Sequence, residues 1–222
     1  MVGRILEDAA TSFKLALIQQ GYLQEPYGPA EFRAAVVKAV RELGRLRSYG
    51  QYHKPPNLAW NDATYEGDAY PTYSWACYGA EVSVDLDVFE VKVEDFVAVQ
   101  EVGRVVNPVL AAGQIEGGVA QGIGWGLWEE VTLKAGHMAN NQMTNYIIPT
   151  SADLPRIRVV FLENRSPAGP GGAKGLGELP MDGPAPALLN ALRNALGDAV
   201  RLDEVPMTPD RLLERCEEVP LG

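Results

Sequence analysis

Apolar residues recur at helical spacing from the start of the chain. Ile5, Ala9, Phe13 and Leu17 share one face of a segment over 4–20, with Gly21 as its stop. A second helix is predicted over 29–43, with Pro29 in its first turn, Phe32, Val36, Val40 and Leu43 on one face, and Gly44 beyond its end. From Leu46 the pattern turns to strand. It is clearest over 81–103, where Val82, Val84 and Leu86, then Val91 and Val93, alternate with polar residues. The turn near Asp87 lacks the Gly or Asn of a tight primed turn, so a longer or bulged hairpin is expected. Asn107–Pro108 reads as an N-cap and first helical residue. A strand pair at about 128–148, a strand over 157–163, a helix over 184–196 stopped by Gly197, and a last helix after Thr208–Pro209–Asp210 complete the series. Helices and antiparallel strands arrive in segregated runs, which predicts an α+β fold with largely antiparallel strands.

Composition narrows the classes of function. At 222 residues and 46% hydrophobic, the chain fits one or two globular domains. Its net charge of −10 disfavours a surface that tracks nucleic-acid phosphates. No apolar run approaches the roughly 20 residues that span a bilayer. Glu7 and Asp8 stand where a signal peptide has its apolar core, so a cytoplasmic location is expected. The two cysteines, Cys77 and Cys216, form no CxxC pair, and an iron–sulfur cluster needs four thiolates. Cys77 lies in the aromatic run YSWACY (73–78), expected to be core, which would make it an inert buried thiol.

Two glycine-rich segments stand out. GPGGAKGLGELP (169–180) sets glycines and prolines around one carboxylate, Glu178. A flexible linker would be polar and serine-rich, whereas glycine lets backbone approach a bound group closely. The stretch therefore reads as a shaped loop that presents Glu178. The second segment, GQIEGGVAQGIGWGLWEE (113–130), has Gly118, Gly122 and Gly126 recurring every four residues inside a predicted helix. Each costs about 1 kcal/mol against alanine there. Gln114, Glu116, Gln121 and Glu129 exclude a membrane dimer face, so close helix packing accounts for much of the stripe. Gln114 lies near the helix start, where backbone N–H groups favour an anion, and suits a dinucleotide contact.

Common catalytic motifs are missing. Lys174 is followed by glycine and not by the Ser or Thr of a P-loop, and Gly122–Ile123–Gly124 runs out at Leu127. His53, before Pro55 and Pro56, and His137 do not build a metal site, and both are expected in solvent.

NPVLAAGQIEGGVAQGIG (107–124), YIIPTSADLP (146–155) and GAKGLGELP (172–180), in that order and spacing, resemble the C-terminal part of the molybdenum hydroxylases, the xanthine dehydrogenase and aldehyde oxidase family. The resemblance runs through most of residues 4–215. It implies a molybdopterin-binding portion of the large subunit over 1–222, with two interleaved lobes meeting near residue 105 as the alternative subdivision. The cofactor implied is molybdopterin, as the cytosine dinucleotide, with molybdenum held by the pterin dithiolene and by no protein ligand. Gln114 corresponds to the glutamine that contacts the cofactor, with Gly113, Gly117, Gly118, Lys174, Gly175 and Gly177 beside it, although a solvent-facing role suits Lys174 equally. Glu178 corresponds to the catalytic base. The implied reaction is oxidation of an N-heterocycle or an aldehyde, by base-assisted attack of a molybdenum-bound hydroxyl and hydride transfer to a sulfido ligand.

The family's large subunit is several times longer, and its earlier cofactor loops have no counterpart here. The chain is therefore expected to be a separately encoded portion or a fragment, inactive alone. Its partners would be the remainder of the large subunit, iron–sulfur and flavin subunits that carry the clusters and FAD, and a small-molecule substrate. An exposed apolar face is expected where the remainder docks. The alternative is a non-catalytic assembly or binding module on the same scaffold, against which the presence of both Gln114 and Glu178 weighs.

Overall fold

A computed structural model describes residues 2–55 and 58–217; Pro56 lies outside them. The chain divides into two compact units, Met1–Thr72 with Ser166–Gly172, and Tyr73–Arg165 with Ala173–Gly222. Residue 105 falls inside the second unit, and the glycine segment 169–180 is itself split between the two.

In the first unit, α1 (Val2–Gln19) and α2 (Pro29–Leu43) pack around Leu17, Leu23, Ala35 and Ala39. Phe32 seats its ring between Phe13 and Tyr27. Gly21 and Gly44 end the two helices at positive φ, as the pattern predicts. The buried face of α2 differs from the expected one. Ala35 and Ala39 are enclosed in the cluster with Leu17 and Leu23, while Val40 and Leu43 stay about half exposed. Among the described residues of this unit, the strand signal from Leu46 yields two short pieces, β1 (Trp60–Asn61) and β2 (Glu66–Gly67). Pro55 and Pro71 donate no backbone hydrogen bond, and Tyr65 sits at φ 56°, so the segment cannot extend a ladder.

The second unit is built on three strands. β3 (Trp75–Asp85) pairs antiparallel with β4 (Glu90–Glu101) through a four-residue connection, Leu86–Phe89, with Phe89 at φ 55°. The longer hairpin expected near Asp87 is therefore present. Glu94 has no opposite residue on β3: Asp95 opposes Glu81 while Val93 opposes Val82. This one-residue bulge switches the alternation, so Val91 and Val93 face the core first and Phe96, Ala98 and Gln100 after it. Next come α3 (Pro108–Leu127), the two-residue strands β5 (Leu133–Lys134) and β6 (His137–Met138), and β7 (Arg156–Leu162). β7 lies parallel to β4, an exception to an otherwise antiparallel set of pairings. α4 (Leu179–Asp182), α5 (Pro184–Leu196) and α6 (Pro209–Glu217) complete an α+β architecture.

The core joins β4 to α3 and α5 through fully buried Phe96, Ile115, Ile123, Leu188 and Leu192. Each contributes about 1.5–3 kcal/mol by leaving water. The YSWACY run departs from expectation. β3 is an edge strand whose outer face carries Trp75 and Cys77, both exposed, while Tyr78 turns inward. No helix among the described residues is long and apolar enough to cross a membrane.

Candidate functional site

Asn107 starts the helix that carries Gln114. Its side-chain oxygen accepts from Leu110 N at 3.1 Å, and Pro108 takes the first helical position. Two glycine faces then run along α3. Gly118, Gly122 and Gly126 are buried, and a Cβ added to Gly118 would stand 2.6 Å from Pro180 Cβ. One added to Gly122 would meet Pro184 and the Met181 carbonyl. This stripe lets the backbones of α4 and α5 approach α3, as the close-packing reading expects. Gly113 and Gly117 lie on the open side, where an added Cβ would meet no atom within 4 Å. Gln114 stands exposed beside them.

The Lys174–Pro180 loop lies against this open face. Gly103 and Ala173 form an isolated antiparallel bridge, and Lys174 N donates to Val102 O at 2.8 Å. Three side chains then donate to alternate carbonyls of the loop. Ser74 Oγ reaches Gly175 O at 2.8 Å, Gln114 Nε2 reaches Gly177 O at 2.9 Å, and Tyr78 Oη reaches Leu179 O at 2.5 Å. In a trans peptide the N–H of the next residue points opposite to the C=O, and these peptides are trans. The Leu176 and Glu178 amides therefore point away from the groups that hold the loop. Gly175 and Gly177 add no Cβ, and a methyl at either would meet nothing within 4 Å. The result is bare backbone at Gly175 and Gly177, with the Leu176 and Glu178 N–H donors on the side away from Ser74 and Gln114.

Glu178 stands where this loop enters α4, exposed and making no side-chain capping bond to the helix. An acid at a helix start ordinarily caps it or is solvated; this one is solvated. Behind it, Tyr78 also receives a hydrogen bond from Gln100 Nε2 at 2.8 Å, and its ring covers Gly183. Burial pushes the Tyr78 hydroxyl up to about 12, with the Gln100 bond working the other way. It therefore keeps its proton and serves as a donor to Leu179.

Lys174 directs its ammonium to Glu101, 2.5 Å from Oε2, and the two side chains are 6% and 11% exposed. Burial pushes the Glu101 carboxyl up, but Lys174 and the Gly103 N–H outweigh it and hold the group below its ordinary value. A depressed folded-state value makes the pair fully stabilising above the unfolded glutamate range, about 4.3, and its contribution is lost as pH falls through the folded value. Denaturant midpoints of wild type and Glu101→Gln should therefore differ most near neutral pH and converge in acid. A constant difference across that range would contradict the pairing.

Gln114 thus meets Gly177 in the loop that also carries Gly175 and Glu178, Lys174 turns from the same loop onto Glu101, and Gly113 and Gly117 lie on the open side of α3. Gly118 packs beneath Pro180. His53 and His137 are exposed, and no group of three or more His, Cys, Asp or Glu suited to a metal occurs among the described residues. Glu101, Ser74, Tyr78 and Gln100 carried no signal in the sequence, because their partners lie 73, 101, 101 and 22 positions away.

The pattern of the family described as molybdopterin cofactor-binding domain matches residues 4–155. The chain belongs to that family. The matched span contains Gln114 and ends before Lys174 and Glu178. The xanthine dehydrogenase molybdenum-binding subunit of Escherichia coli O157:H7 is 36% identical over 143 residues, covering 64% of this chain and 19% of the relative. The aldehyde oxidoreductase molybdenum-binding subunit PaoC of E. coli K12 is 36% identical over 153 residues, covering 68% and 21%. Among solved structures, the aldehyde oxidoreductase of Desulfovibrio desulfuricans superposes with a TM-score of 0.71 at 29% identity, covering 87% of this chain and 20% of that one. The chain therefore spans about a fifth of the length of the relatives it matches.

Proposed function

We propose that this chain supplies the cofactor face and the general base of a molybdenum hydroxylase that oxidises an N-heterocycle or an aldehyde. The observation that carries this reading is the Gln114–Gly177 hydrogen bond, which joins the open glycine face of α3 to the loop ending in Glu178. The residues fit a molybdopterin. A flat, polar heterocycle needs close backbone approach and amide donors. Gly113 and Gly117 on α3 and Gly175 and Gly177 in the loop leave open space, and the Leu176 and Glu178 amides are the donors the loop offers.

When bound, the molybdenum cofactor supplies the two-electron oxidation of the substrate. The work of this chain is positioning and proton transfer. Gln114 and the loop amides hold polar groups of the pterin, in its cytosine dinucleotide form. Lys174 contributes from inside the loop. The Glu178 carboxylate takes the proton of the attacking hydroxyl, a general-base step worth about 10²–10⁴-fold. Val106, Val109 and Leu110, each more than 70% exposed where α3 begins, form an apolar patch for the remainder of the large subunit to cover. Iron–sulfur and flavin subunits would then carry electrons away, in a cytoplasmic complex.

The test is metal and nucleotide analysis of the native complex purified through this chain. Molybdenum and a released cytidine nucleotide should appear in equal amounts. A complete complex with neither overturns the reading. Gln114→Ala in that complex should weaken pterin retention by about 1–3 kcal/mol, the range for loss of a neutral or charge-assisted hydrogen bond. The fold should change little, since Gln114 is exposed. Full cofactor occupancy in that variant would return Gln114 to a purely structural role.

A further inference from the structure

We propose that the Lys174–Glu101 ion pair is the latch that sets the position of Glu178. Both are positioning residues, acting through the backbone of the loop. The proposal rests on Glu178 being the base, and it adds what holds that base in place.

The loop from Gly175 to Glu178 has few side chains of its own, and glycine backbone is the most costly to order. Leu176 packs against the core, and the rest of the loop's position comes from the attachments at its flanks. The bonds from Ser74 and Gln114 are neutral and exposed, so water replaces either at small cost. Tyr78 grips the far side, beyond Glu178 at Leu179. On the near side, the charged and most enclosed attachment is Lys174, four residues before Glu178. Its ammonium is buried against Glu101, which also accepts the Gly103 N–H at 2.8 Å. Glu101 is the last residue of β4, and the adjacent Gln100 holds Tyr78. One strand end therefore fixes both flanks of the loop. Losing either partner of the pair strands a buried charge, a much larger penalty than losing a neutral bond.

The latch is tested by hydrogen exchange on the full chain. Lys174→Met should speed exchange of the residue 174 amide, bonded to Val102, and of the Met181 amide, bonded to Glu178 O, by on the order of 10²-fold. Amides of Ile123 and Leu188 in the core helices should speed by no more than the fall in global stability and by less than these two. Glu101→Gln, which keeps shape and removes the charge, should repeat the effect. Lys174→Arg should restore most of the protection, and Glu178→Gln should leave it intact. In the assembled enzyme, Lys174→Met should lower kcat by roughly 10²-fold, the cost of a misplacement of about 1 Å. Molybdenum content, substrate KM and the acidic limb of the pH–rate profile should remain. That limb separates the latch from the base, since Glu178→Gln should lose it. Unchanged exchange in both Lys174→Met and Glu101→Gln overturns the proposal, as does a loaded Lys174→Met enzyme with normal kcat. A fully active Glu178→Gln enzyme instead overturns the base assignment, and the exchange rates still decide the latch.

Discussion

Alanine at Gly113 or Gly117 is expected to stabilise the chain by up to about 1 kcal/mol, the helix-propensity gain over glycine. Alanine at Gly118 or Gly122 is expected to destabilise it by about 1–3 kcal/mol. The four positions share one helix and one substitution, so the sign is decided by what the added methyl meets. At Gly113 and Gly117 it meets nothing within 4 Å. At Gly118 it stands 2.6 Å from Pro180 Cβ and 3.2 Å from the Pro180 carbonyl carbon. At Gly122 it stands 2.7 Å from Pro184 Cγ and 3.1 Å from the Met181 carbonyl oxygen. Much of this is backbone and proline ring, which yield less readily than a flexible side-chain tip, so α4 must shift. The double variant Gly118→Ala/Gly122→Ala should lose about 2–4 kcal/mol, less than the sum, because both press on α4 and share its displacement. At about 2–4 °C per kcal/mol for a chain of this size, thermal melting resolves these differences. In the assembled enzyme Gly117→Ala should lower cofactor retention although the chain itself is more stable. Equal effects at all four positions would show that α3 does not have two distinct glycine faces.

That division was partly legible in the sequence. The i, i+4 recurrence of Gly118, Gly122 and Gly126 already argued for close packing, and α4 and α5 fill that stripe. The caps were legible too, because Asn107, Pro108, Gly21 and Gly197 act through local backbone chemistry. What stayed hidden depends on contacts distant in sequence. Cys77 and Trp75 read as core because aromatic, alternating strands usually bury one face; the core packs on the opposite face of β3, the one that carries Tyr78, so theirs meets solvent. The bulge at Glu94 has no signature, yet it turns Gln100 inward and so anchors Tyr78. Val40 and Leu43 followed the helical period but lost the packing face to Ala35 and Ala39. The candidate site residues were picked out through family motifs. Their mutual hydrogen bonds were not, since Gln114 and Gly177 lie 63 positions apart.

The second large effect is expected at Glu178. Glu178→Gln keeps the size of the side chain but removes its capacity to take a proton at working pH. The side chain is exposed and makes no capping bond to α4, so the fold loses little. If Glu178 only positioned substrate, the loss would appear in KM with turnover spared. As the base, its loss should appear in kcat, by about 10²–10⁴-fold. Molybdenum content and assembly depend on neither that proton nor that charge and should be unchanged. The decisive measurement is the pH dependence of kcat for Glu178→Gln and wild-type enzyme, both assembled with the remainder of the large subunit and matched for molybdenum and sulfido content. The account predicts a deep fall in kcat with the acidic limb gone. A near-normal kcat that keeps the acidic limb would contradict it.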